Sequence, residues 1–188
     1  TVDSREADRV PRQMQAYDRA AELGGKVIAM TMPVQVPMNM SLANFCGLFL
    51  IPGWGDVLNT DIDERIRRLQ DPDTRVRLLE YGQAPEAGVF KRLADWGDYV
   101  VGDTYSDENE GLAGRRVKDI AAERNMSSFG TFLDISIADR LQTIWWPTPQ
   151  DDDDESWRMR AELWSDGRAM IGGSDAGAHL DRMCGAPY

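Results

Sequence analysis

Histidine is nearly absent: the 188 residues hold one, His179. A zinc site takes three or four protein ligands in most cases, so imidazoles from this chain alone cannot build one. Cysteine is almost as scarce. Cys46 and Cys184 stand far apart and form no CxxC, which reads as reduced thiols in a cytoplasmic protein. Long apolar runs are missing too. The longest, Phe45 to Ile51, has seven residues and ends at Pro52, against the roughly 18 that a membrane helix needs. Positive charge is in deficit: 21 Lys and Arg against 32 Asp and Glu leave −11. Phosphate backbones and anionic lipid repel such a chain at long range, so neither nucleic acid nor membrane is an expected partner. No Gly-rich phosphate loop, GxSxG elbow or HExxH occurs. The polar start, Thr1-Val2-Asp3-Ser4, is no signal peptide. It lacks an initiator Met, which points to a processed, trimmed or truncated chain.

What is present is ordinary globular composition, 42% hydrophobic and 28% charged. The length suits one domain, residues 1–188, able to bury about 70% of its unfolded surface. Val10, Met14, Tyr17 and Ala21 make one apolar helical stripe, starting near Pro11 and ending at Gly24-Gly25. Lys26–Thr31 then reads as a buried strand. Between Met32 and Asn59, prolines and glycines break any period, yet Met, Phe, Leu and Trp54 abound. Long loops are uncommon unless functional, so a binding loop is favoured narrowly over a packed excursion.

Further helices are expected from the capping-box-like Thr60-Asp61-Ile62-Asp63, over about 73–80, over 115–124, and over 129–140 with Ser128 as cap. Trp157, Ala161 and Trp164 also have helical spacing. Asp98–Val101 and Arg168–Gly173 are the other strand candidates, and Trp145-Trp146-Pro147 reads as the opening of a loop. Helix alternating with buried strand predicts an α/β fold with three neighbouring parallel strands. Three strands do not close a barrel, so open strand edges, and with them self-association, are expected.

Chemistry points to the end of the last strand. Gly172-Gly173-Ser174-Asp175 sets a carboxylate at a strand's carboxyl end, the edge where parallel α/β proteins bind ligands. The plain alternative is a turn in which Ser174 or Asp175 caps a helix. His179 follows Asp175 by four residues, one helical turn. The acidic run Asp151–Glu155 lacks the ordered spacing of a calcium loop and reads as a solvated loop. The Asp103–Gly111 stretch fails the same test but follows a strand end, where it could line a site. The six tryptophans read as packing.

Ile171-Gly172-Gly173-Ser174-Asp175-Ala176-Gly177-Ala178-His179-Leu180 resembles the last-strand motif of the amidohydrolase superfamily, in the branch of D-aminoacylase and the N-acyl-D-amino-acid deacylases. Val101-Gly102-Asp103-Thr104, Asn109-Glu110-Gly111-Leu112, Gly114-Arg115 and Asp119-Ile120-Ala121 support it. The resemblance implies a (β/α)8 TIM-type barrel, of which this chain would be roughly the last three β/α units. It also implies a metal-dependent hydrolase of N-acyl amino acids or related amides, using zinc as one or two divalent ions in the parent enzyme. Asp175 is then the metal-site aspartate that takes a proton from metal-bound water and passes it to the leaving nitrogen. His179 and Ser174 would contact substrate or support that carboxylate. The superfamily's HxH pair is absent, so the isolated fragment is expected to be inactive. The alternative is a non-enzymatic acidic α/β fragment or interaction domain.

Overall fold

The computed structural model describes residues 2–32, 35, 38–147, 149 and 151–172. The chain is mixed α/β. Its elements run α1 (Arg9–Glu22), β1 (Ala29–Thr31), α2 (Gly55–Leu58), α3 (Ile62–Gln70), α4 (Pro72–Gln83), β2 (Val100–Val101), α5 (Val117–Arg124), α6 (Ser128–Ala138), β3 (Trp145–Trp146), α7 (Asp154–Trp164) and β4 (Ala169–Ile171). No helix among the described residues is long and apolar enough to cross a membrane. The described residues form two compact units, one from residues 2–32, 35, 149 and 151–172, the other from residues 38–147.

In the first unit, α1 carries Pro11 in its opening turn, where a missing N–H costs nothing. It closes at Leu23, and Gly24 takes a φ of +74°, the left-handed position that glycine fills without strain. β1 and β4 pair in parallel, Ala29 opposite Ala169, Met30 opposite Met170 and Thr31 opposite Ile171. Buried Arg160, on α7, holds the chain start to that helix. Its guanidinium donates to Val2 O at 3.0 Å and Asp151 O at 2.8 Å, pairs with the Asp151 carboxylate, and lies 4.6 Å from the Trp157 ring centre. Ser4 N donates to Ser156 Oγ at 2.8 Å.

The second unit holds the larger core. Met40, Leu42, Leu48, Ile51, Trp54, Leu58, Leu69, Leu78, Phe132, Leu133 and Trp145 are all buried in one cluster. Aromatic rings run through it: Trp54 stacks on Trp96 at 5.2 Å, and Phe132 lies 4.4 Å from Trp145. So the Pro- and Gly-broken stretch after Met32, expected as a binding loop, is a packed excursion from Met40 to Leu58. Its prolines and glycines break regular structure, while most of its apolar side chains fill the interior; Phe45 and Leu50 stay exposed. The unit's two ends meet. Met40 and Trp145 exchange backbone hydrogen bonds of 3.0 and 2.8 Å, and Ala43 N donates to Leu141 O at 2.9 Å.

Helix starts follow capping chemistry, shifted by one residue in two places. Asp61, not Thr60, caps α3, accepting from Glu64 N at 3.0 Å. Ser127, not Ser128, caps α6, accepting from Gly130 N at 3.0 Å. Asp71 caps α4, with Pro72 in the first turn.

The expectation of three neighbouring parallel strands is corrected. Among the described residues only β1 and β4 are parallel; β2 pairs antiparallel with β3, in a separate two-stranded sheet. The reason is local. Trp145-Trp146, read as the opening of a loop, is strand, and Gly102 lets it approach. A Cβ on Gly102 would sit 2.8 Å from Trp146 Nε1 and 2.9 Å from Ile144 O, closer than a real Cβ tolerates. With no side chain in the way, Gly102 N donates to Ile144 O at 2.7 Å. The expectation of buried strands is corrected too for the parallel pair: Met30 is 61% exposed, Met170 48% and Ile171 51%. Apolar composition marks a strand but does not say that its faces are covered.

Candidate functional site

The candidate site begins at the carboxyl ends of β1 and β4. There Gly172 N donates to Thr31 O at 2.9 Å, closing the parallel ladder, so Thr31-Met32 and Gly172 leave the sheet side by side. Ser174, Asp175 and His179, the residues expected to carry the chemistry, lie beyond this point and outside the described residues. The described part of the site is therefore its base: two short parallel strands with a glycine at the exit of the second. Cys184 also lies outside the described residues.

The acidic run resolves into structure. Asp153 caps α7, its carboxylate accepting from Ser156 N at 2.9 Å and Ser156 Oγ at 2.6 Å. Those two bonds favour the charged form and hold its pKa down at about 2. Asp151 pairs with Arg160, and Asp152 accepts from Trp157 Nε1 at 2.8 Å. The run leads into the start of α7 and three of its carboxylates hold that helix, while residues 152–155 stay exposed, as expected of a solvated segment.

The Asp103–Gly111 stretch is likewise fastened rather than open. Buried Asp139 accepts through Oδ1 from Ser106 N and Asn109 Nδ2, both at 2.8 Å, and through Oδ2 from Thr143 Oγ1 at 2.8 Å. Asn109 Nδ2 also donates to Ile135 O at 2.9 Å. Burial pushes the Asp139 pKa up, but the donors from Ser106, Thr143 and Asn109 outweigh it, and the net direction is down. Asp139 therefore stays charged and ties the loop to the end of α6. Asp139 sits at the C-terminal end of an apolar helix, where the helix dipole disfavours a carboxylate, but no local pattern in the sequence marks its partners.

A second buried charge also went unforeseen. Arg65 has no carboxylate partner among the described ion pairs. It donates instead to the carbonyls of Leu42, Ala43 (3.1 Å) and Thr60 (2.8 Å), and its guanidinium lies 5.3 Å from the Phe49 ring centre. Its Nε is buried without a partner. Burial lowers its pKa. Three carbonyls take up bonds from its two terminal nitrogens, so Arg65 serves as a clamp on the packed excursion. Cys46, a neighbour in electrostatic terms, is buried in the same core. Of the six tryptophans read as packing, Trp54, Trp96 and Trp145 are core residues, while Trp146 and Trp157 are exposed.

The implied zinc does not fit the described residues. No group of three or more His, Cys, Asp or Glu side chains among them could hold a metal ion, and the chain's single imidazole is His179. No family model matches the chain, and no curated protein or solved structure matches it significantly.

Proposed function

We propose that the chain is the C-terminal part of a metal-dependent amidohydrolase, with β1 and β4 as neighbouring strands of a (β/α)8 barrel. Its substrate class would be N-acyl amino acids or related amides, as in the N-acyl-D-amino-acid deacylases it resembles. The observation that carries the reading is the parallel register of Ala29–Thr31 with Ala169–Ile171, reached after the helix α7. Strand, helix and parallel strand form the repeat from which such barrels are made, and their active sites lie at the carboxyl ends of the strands. On this reading residues 38–147 are an excursion within the connection that follows β1. Asp175 comes four residues after the last residue of β4, in the segment that builds the active site.

The role assigned to Asp175 is proton movement. A carboxylate beside the scissile amide would take a proton from the water that adds to the carbonyl carbon and return it to the nitrogen as the C–N bond breaks. Ser174 and His179 would orient that carboxylate or touch the substrate. The metal ligands would come mainly from the rest of the parent enzyme, because this chain holds too few, so the isolated chain is inactive. The rival is a non-enzymatic acidic α/β fragment or interaction domain, in which Asp175 and His179 only cap and pack.

Assay of N-acyl-D-amino-acid hydrolysis separates the two. With zinc added, the 188-residue chain is expected to show no turnover. In the polypeptide extended upstream through its reading frame, turnover is expected, and Asp175→Asn should abolish it while leaving the fold intact. His179→Ala should cost about 10- to 100-fold if His179 supports the site from behind. Near-normal turnover by the Asp175→Asn enzyme would contradict the proposal.

A further inference from the structure

We draw no further inference here: the strongest candidate, the exposed apolar surface of the β1–β4 pair around Met30, Met170 and Ile171, belongs to the partial-barrel reading already given, and nothing in the structure shows what covers it.

Discussion

Residues 38–147 and the unit built from the chain's two ends solve the burial problem differently. The first encloses its apolar residues: Trp54, Leu58, Phe132, Leu133 and Trp145 are buried among one another, and the segment's ends are hydrogen-bonded at Met40 and Trp145. In the second, Val2 and Met14 are the buried apolar residues among those described, while Ile28, Met30, Met170 and Ile171 stand open. Parallel strands are normally covered on both faces, and a lone pair of strands is marginal in water. The contrast teaches that the two units are held differently. Among the described residues, one encloses an apolar core, while the other shows two short strands and polar clamps, Arg160 foremost.

The sharpest way to break that contrast is to open the enclosed core. Phe132→Ala is expected to destabilise the chain by about 3–5 kcal/mol, the usual cost of emptying a buried aromatic site. Urea unfolding followed by tryptophan fluorescence would read it, since Trp96 and Trp145 both pack against Phe132. A loss under about 1 kcal/mol would mean that this core is loose.

Asp139→Ala comes next. It leaves Asn109 Nδ2, Thr143 Oγ1 and Ser106 N short of a buried acceptor, and about 1–3 kcal/mol of stability should go with it. The pH dependence has a definite sign. The folded Asp139 pKa lies below its unfolded value, so its contribution is complete above the ordinary carboxylate range of about 4. It is lost as pH falls through the lowered folded value. Wild type and variant should therefore differ most near neutral pH and converge in acid. A constant difference down to strongly acidic pH would show that packing, rather than the charged network, is what the mutation removes.

The smallest effect on stability is expected in the open unit. Met30→Ala with Met170→Ala should change the unfolding free energy by under about 1 kcal/mol, because half-exposed side chains have little burial to lose. Association is where these residues should register. In sedimentation at moderate salt, the 188-residue chain is expected to self-associate, and Met30→Glu with Met170→Glu to weaken that association. A monomer in both cases would mean that the open sheet is not a sticky surface.

Periodicity and turn chemistry made the helices legible. The stripe from Val10 to Ala21, the start at Asp61 and the apolar face from Phe129 to Ile137 all lie on observed helices. Strand existence was legible within Lys26–Thr31 and Arg168–Gly173, where apolar runs are bounded by glycine or proline; the strands themselves are the shorter Ala29–Thr31 and Ala169–Ile171, which are parallel neighbours. Pairing was less so. Val100–Val101 looked equivalent to the other two, and only Gly102, a missing side chain, lets Trp146 and Ile144 come against it. The division into units was illegible because no linker marks it; it rests on which apolar residues meet in space. The candidate site is a sequence motif that follows β4 and lies outside the described residues, while the Asp139 network and the Arg65 clamp rest mainly on contacts between residues 22 to 33 positions apart, which no local pattern records.

The contrast between the two units is tested most directly by producing residues 38–147 alone and following urea unfolding by near-ultraviolet circular dichroism and tryptophan fluorescence together. The account predicts a folded monomer with one cooperative transition, the two probes coinciding, because the core and the Met40–Trp145 closure lie within the segment. A broad, non-coincident transition, or a spectrum without fixed aromatic signals, would contradict it.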